Sequence, residues 1–491
     1  MRYVKDSESG NSGPGATTVS LPPALSAAHR GLSLIQWGLL ALIAVAAVWG
    51  LARAPSETFG GLASAAGGAF LFVVAWRCLL ILAGRRPPPE AGSPDIWPRY
   101  TVLAALHDEA EVVDQLIARL AAIDYPPDRL QGLLVLEAHD AGTRAAAMAA
   151  QRPDWLEIFV APPGEPCTKP RALNCALPRA TGDLLTVYDA EDAPDPGQLR
   201  EAASRFLADR GGRLACLQAP LRIRRASGSR TPFLDRQFAA EYASLFEIVL
   251  PGLTCLGLPF PLGGTSNHFR VDVLRALGGW DSWNVTEDAD LGFRLWRGGW
   301  RLGVLRRPTW ETPPGALHDW LPQRTRWLKG YMQTWGVHTR QPWALGPRGL
   351  FALFMTLGLG LASAALYGPT LCWVLASVLV AAMAGLPPET PGLAVSVLVL
   401  GAASAWLSCA VGAQRAGIPY GPHDMIAAPA YWSLLSLAFT QALWRLVIEP
   451  FAWDKTRHRR EVLTVPVDAA LDEAGSHRLS ATHAATPEPV A

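Results

Sequence analysis

The chain has 491 residues, half of them hydrophobic and 17% charged, with 43 Lys and Arg against 42 Asp and Glu. That balance excludes a strongly basic surface for nucleic acid, and a mean hydropathy of +0.16 leans toward a membrane protein. The seven cysteines, at 78, 167, 175, 216, 255, 372 and 409, are odd in number and scattered, without CxxC or Cys/His metal spacing. They argue against a disulfide framework and for a reducing compartment.

Residues 1–30 are polar and rich in Ser, Gly and Pro, and no clean cleavage site follows the first apolar run. They read as a disordered cytosolic tail, not a secretory signal. Two transmembrane helices are expected within 31–85. The run 32–52 carries no charge, and 62–84 carries only Arg77, placed to snorkel or pair. Basic residues after the second run put that side in the cytoplasm.

Residues 98–345 alternate short apolar runs with amphipathic patterns, as in an α/β domain with parallel strands and helical crossovers. Strands are expected at 100–106, 130–138 and 183–192, and a helix at 108–123. Apolar runs return at 350–367, 370–386, 392–411 and 427–447, separated by Gly and Pro. Within 349–448 they predict about four more transmembrane helices, six in all, which keeps both tails on one side. A basic segment lies within 449–465, and 466–491 reads as a disordered tail.

Four stretches carry candidate chemistry. In "LLVLEAHD", Glu137 and Asp140 follow a strand, where an acid can accept from a base or a ribose hydroxyl; a plain polar loop reads equally well. In "LLTVYDAEDAPDP", Asp189, Glu191 and Asp192 cap another strand. Alternation along an extended segment puts Asp189 and Glu191 on one side, two hard ligands suited to Mg²⁺ or Mn²⁺ on a diphosphate. In "WNVTEDADLGFRLWRGGW", Thr286 reads as a helix N-cap, with Glu287 and Asp288 favourable in the first turn. Alternatively, one of these carboxylates is a general base. In "LPQRTRWLKG", Arg324 and Arg326 can grip phosphate, Trp327 can stack on a sugar, and Gln323 can hydrogen-bond to either. An amphipathic helix at the membrane surface, near 317–335, would also be rich in Arg and Trp. Lys169 and Arg171 in "TKPRALNCAL" are further candidate cations.

Taken in order, an acid, Asp-x-Glu, Thr-Glu-Asp, Gln-Arg-x-Arg-Trp and then apolar spans, the chain resembles the membrane-embedded processive family 2 glycosyltransferases. These are typified by bacterial cellulose synthase, hyaluronan synthase and chitin synthase. The resemblance runs from 33 to 460 and includes "PLGGTSNHFRVDVLRALGGWD" (261–281) as an acceptor-side loop with its following helix.

The resemblance implies a cytosolic α/β domain of GT-A type, Rossmann-like and nucleotide-sugar-binding, joined to an α-helical transmembrane bundle in the inner membrane. It implies an inverting transfer from a UDP-sugar to a growing β-linked polysaccharide, with coupled export, and Mg²⁺ or Mn²⁺ as cofactor. By position, Glu137 would contact the uridine, Lys169 the donor, and Asp189 with Glu191 the metal and diphosphate. Asp288 would be the base, beside Glu287. Arg324 and Arg326 would bind diphosphate, and Gln323 and Trp327 would support the acceptor. Trp453, Lys455 and Thr456 would lie in a gating segment. Glu137 and Glu191 depart from the family pattern, where aspartates stand. The same residues would serve a non-processive transferase with a lipid-linked acceptor. A non-catalytic nucleotide-sugar-binding protein, or a component of an envelope complex with partner subunits, is the reading from another class.

Overall fold

The computed structural model describes residues 21–29, 31–84, 92, 94, 96–224, 232–386 and 392–452. Trp453, Lys455 and Thr456, most of the proposed gating segment and most of both tails lie outside the described residues.

Two apolar helices, α1 (Leu34–Arg53) and α2 (Pro55–Ala83), come first. Ser33 and Gln36 close a capping box at the start of α1. The α/β domain then opens with β1 (Tyr100–Leu106), α3 (Val113–Ala121), β2 (Leu130–Glu137), α4 (Ala141–Ala149), β3 (Leu156–Ala161), α5 (Lys169–Ala176) and β4 (Leu184–Tyr188). It continues through β5 (Ala193–Pro194), α6 (Gln198–Ala208), β6 (Leu214–Gln218), β7 (Leu221–Ile223), α7 (Pro232–Ser244), α8 (Leu250–Cys255), β8 (Asn267–Arg270) and α9 (Val271–Ala276). It closes with α10 (Glu287–Arg297), β9 (Arg301–Val304), β10 (Thr309–Glu311) and α11 (Leu317–Thr339).

The main sheet has the order β3-β2-β1-β4-β8-β6-β9, and a small second sheet the order β5-β10-β7. In the main sheet only β8 runs against its neighbours. The result is the mixed α/β sheet of GT-A type expected from the sequence. Strands buried on both faces should be almost continuously apolar, and β1, YTVLAAL, is. Alternate residues serve opposite faces: Leu103, Leu133 and Val135 enter one core, Val102, Ala104, Leu134 and Leu136 the other.

After the domain come α12 (Gly346–Leu353), α13 (Leu359–Ala384), α14 (Gly392–Ala416) and α15 (Pro422–Ile448). The expected division of 350–386 into two helices is corrected here. Residues 342–384 form one continuous helical run, and Pro369 lies inside α13. Apolar helices tolerate such a proline when a neighbour serves the disturbed backbone; beside it, the Gly368 N–H donates to Ser436 Oγ of α15 at 2.9 Å.

The described residues contain six helices long and apolar enough to cross a membrane. The expected count was also six, but the set differs. Three of them follow the domain instead of four, and Pro232–Cys255 lies within the α/β domain between β7 and β8. Arg77 of α2 pairs: its Nη1 donates to Ser404 Oγ of α14 at 2.8 Å.

Both ends of α15 are fastened to helices of the α/β domain. Arg236 of α7 grips Asp424 in a two-pronged ion pair, at 2.6 and 2.5 Å. At the other end Lys329 Nζ of α11 donates to the carbonyls of Glu449 and Ala452, and Gln333 Nε2 to that of Pro450.

Candidate active site

From β1 the chain builds outward to β2 and β3, then returns to place β4 on the other side of β1. That reversal opens a crevice beyond the carboxyl ends of β1 and β4, where open α/β sheets bind ligands. Asp189 is the first residue after β4 and stands in this crevice.

Lys169, the first residue of α5, forms an ion pair with Asp189 Oδ1 and donates to the Gly264 carbonyl at 2.7 Å. A side chain added at Gly264 would reach 3.5 Å from Asp288 Oδ2. Lys169 therefore stands between Asp189 and the Glu287–Asp288 pair. Burial pulls its pKa down, but Asp189, Glu287 and Asp192 outweigh that and hold it above the ordinary lysine value. It is a fixed cation.

Glu287 and Asp288 open α10. Burial, then the Asp288 charge, pushes Glu287 up to about 7. Burial pushes Asp288 up to about 6, against the Ala289 N–H, Lys169 and Arg326, which favour its charged form. A carboxylate with a pKa close to neutrality is suited to accept a proton. Thr286 stands at the N-cap as expected, but its side chain makes no capping hydrogen bond. It packs instead against α11, where a Cβ on Gly330 would lie 2.3 Å from Thr286 Oγ1. Gly330→Ala must therefore push α11 away from α10. We expect a loss of about 1–3 kcal/mol in stability, read from the unfolding midpoint of the detergent-solubilised protein.

The Gln-Arg-x-Arg-Trp stretch forms part of α11, as the amphipathic-helix reading expected, and its two arginines separate. Arg326 Nη1 donates to the Val285 carbonyl at 3.3 Å, and its charge acts on Glu287 and Asp288. Arg324, the other arginine expected at the diphosphate, is engaged with neighbouring helices. Its guanidinium pairs with Glu241 of α7 and donates to Tyr431 of α15. It also lies over the rings of Phe238 and Trp327, at 4.8 and 4.5 Å. Its Nη1 and Nη2 join helices, while its Nε is buried without a partner among the described residues. Trp327 packs beside Phe238 and Tyr242 at 6.2 Å from each ring. Gln323 Oε1 is buried without a hydrogen-bond partner among the described residues, an acceptor suited to a ligand hydroxyl.

At the end of β2, Glu137 is buried and accepts from Arg171 Nη2 at 2.7 Å. Asp140 is drawn into local structure: it caps α4 by accepting from the Thr143 N–H, and its other oxygen accepts from the Asp108 N–H. Both oxygens serve the backbone.

Sequence reasoning gave no role to two neighbouring acids. Asp192 is fully buried; its Oδ2 accepts from Thr265 Oγ1 and the Asp189 N–H, and its Oδ1 has no partner among the described residues. Burial, then Asp189, pushes it up to about 8. Glu311 of β10 is held well above the carboxylate range by burial, then by Asp192, Glu191 and Asp189. The Asp-x-Glu spacing marked Asp189 and Glu191, while Glu311 arrives from 120 residues further on, with no local signal. Such crowding of acids beside one lysine fits a divalent cation held by Asp189 and Glu191. Two carboxylates plus substrate phosphates is the usual Mg²⁺ arrangement.

A mixed α/β sheet with this crevice, paired acids and fixed cations, attached to long apolar helices, has the architecture of a membrane-associated glycosyltransferase. Residues 184–406 match the family described as "Glycosyl transferase family group 2", and the chain carries a family 2 glycosyltransferase domain. It is 25% identical over 236 residues to the probable glycosyltransferase YdaM of Bacillus subtilis, covering 48% of this chain and 55% of that one. It is 26% identical over 260 residues to the beta-monoglucosyldiacylglycerol synthase of Synechocystis, covering 50% and 51%. It is 26% identical over 262 residues to the UDP-forming cellulose synthase 1 catalytic subunit of Komagataeibacter xylinus, covering 52% and 33%. The matches thus span about half the length of the first two relatives and a third of the last. Among solved structures, the mannosyltransferase PcManGT of Pyrobaculum calidifontis, in complex with GDP-Man and Mn²⁺, aligns at 19% identity with a TM-score of 0.48. That alignment covers 79% of this chain and 98% of that one.

Proposed function

We propose that the protein is an inverting transferase that moves a sugar from a UDP-sugar to a hydroxyl acceptor at the cytoplasmic membrane. The observation that carries this reading is Lys169 standing between Asp189 and the Glu287–Asp288 pair, which joins the donor and proton-accepting ends of one crevice. Asp288 takes the proton of the acceptor hydroxyl as its oxygen attacks the anomeric carbon, and the diphosphate departs from the opposite face. Lys169 and Arg326 keep Asp288 charged near neutrality. Asp189 and Glu191 would hold Mg²⁺ or Mn²⁺, which supplies charge neutralisation for a diphosphate. Glu137, fixed by Arg171, lies on the nucleoside side, and Gln323 and Trp327 on the acceptor side.

Four helices, α1, α2, α13 and α14, cross the bilayer in this reading. The pieces α7 and α8 and the whole of α15 return to the α/β domain at both ends and lie along its membrane face. An even number of crossings keeps the domain on the cytoplasmic side.

The acceptor is a growing β-linked polysaccharide in the first reading, on the strength of the Gln-Arg-x-Arg-Trp stretch. The second reading, a lipid acceptor, is favoured by the apolar helical run Pro232–Cys255, whose Phe238 and Tyr242 pack against Trp327 at the edge of the site. The test offers UDP-glucose, UDP-N-acetylglucosamine, UDP-galactose and UDP-glucuronate to the solubilised protein with Mn²⁺ or Mg²⁺, plus lipid and oligosaccharide acceptors. We expect UDP release from one donor, dependent on the ion. Radiolabel in solvent-extractable lipid supports the second reading, and label in insoluble polymer the first. No release under any of these conditions overturns the proposal.

A further inference from the structure

Folding brings together three kinds of metal-ligating group on the nucleoside side of the crevice, at the ends of β1 and β2, separate from the acids that follow β4. Glu137 ends β2. His139 follows in a tight turn closed by the Asp140 N–H on the Glu137 carbonyl. Cys167 lies in the segment between β3 and α5. One ligand atom from each of the three lies within 4.8 Å of the others. His107, just beyond β1, places its Nε2 3.1 Å from Nε2 of His139.

Bond lengths of about 2.0–2.3 Å put neighbouring ligand atoms around a tetrahedral Zn²⁺ roughly 3.3–3.6 Å apart. The two histidines already stand near that separation. Glu137, His139 and Cys167, now within 4.8 Å of one another, must close in by about 1 Å on the same bond lengths, and His139 and Cys167 are exposed. Glu137 is oriented by Arg171, which itself is anchored to the Pro162 carbonyl at 2.7 Å. A ligating carboxylate is ordinarily fixed by such a second partner. A set of thiolate, imidazole and carboxylate selects Zn²⁺ over Mg²⁺ or Mn²⁺, unlike the oxygen-only set at Asp189 and Glu191.

We propose that Glu137, His139 and Cys167, with His107 as fourth ligand, form a binding site for a thiophilic divalent ion of the Zn²⁺ type. The site would tie the segment before α5 to the ends of β1 and β2. The site shares Glu137 with the nucleoside side of the transferase reading, but its test does not depend on that reading, because metal binding is measured directly.

The experiment titrates Co²⁺ into the full-length, chelator-stripped protein in detergent and records absorption. We expect a thiolate-to-cobalt charge-transfer band saturating at one equivalent and lost when Zn²⁺ is added. Co²⁺ held by Asp189 and Glu191 has no sulfur ligand and gives no such band. Cys167→Ser should abolish the band. Cys255→Ser, at another exposed thiol, should keep it. His139→Ala should weaken Zn²⁺ binding by at least about 10-fold, since loss of even an outer partner costs that much. A wild-type protein without the band, or a band that survives Cys167→Ser, overturns the proposal. Cys167 is exposed, so its serine variant should fold, and an unchanged gel-filtration profile verifies this.

Discussion

Asp288→Asn should lower donor-dependent UDP release by about 10²–10⁴-fold, the span a positioned general base contributes. The substitution keeps the size of the side chain and its place at the start of α10. Donor binding, followed by nucleotide titration, should therefore change little. The pH profile gives a second handle. Burial raises Asp288 to about 6, and the charged form is the one that accepts a proton. Wild-type activity should thus fall as pH drops through about 6, and this acidic limb should vanish from whatever activity the variant retains. Because Glu287 titrates close by, the limb reports the pair and not one carboxyl alone. Release that survives Asp288→Asn with an unaltered limb would remove Asp288 as the base.

The second large effect is expected from Arg294→Met, which touches no substrate. Asp290 is fully buried in α10, between Arg294 on the same helix and His338 of α11. Arg294 also donates to the carbonyls of Leu277 and Gly279. Burial alone would favour the neutral acid, but Arg294 and His338 more than reverse that and hold Asp290 below the ordinary range. Removing the arginine leaves the carboxylate with one partner and two carbonyls without a donor. Breaking such a buried pair costs about 3–5 kcal/mol, visible as a large fall in the unfolding midpoint. Arg301→Met, at an ion pair whose arginine is 57% exposed, should cost roughly 1 kcal/mol or less. Equal effects at the two positions would refute the argument from burial.

The parts legible in the sequence were those with local signals. The parallel strands announced themselves as apolar runs ending in acids, so Asp189 and Glu191 could be marked from spacing alone. Thr286-Glu287-Asp288 was visible as the start of an amphipathic helix. What could not be read depended on distant neighbours. Gly368-Pro369 resembled a break between helices because the hydroxyl of Ser436 beside it is 68 residues away. Arg324 and Arg326, two positions apart on one helix, point to different surroundings, and only the placement of Glu241 and Tyr431 decides which arginine reaches the acids. Glu311 and Asp192 meet through pairing between β5 and β10, which no local pattern announces. That Glu137 and His139 meet Cys167 went unread for the same reason: they belong to two separate crossovers.

The fastening of α15 at both ends has a mechanical consequence. A helix of 27 residues is a rod about 40 Å long, and it does not stretch. With one end clamped to Arg236 and the other to Lys329 and Gln333, it braces α7 and α11, which already touch through Arg324–Glu241, against sliding along each other. Any shift of one helix against the other must then come from releasing one of the rod's clamps.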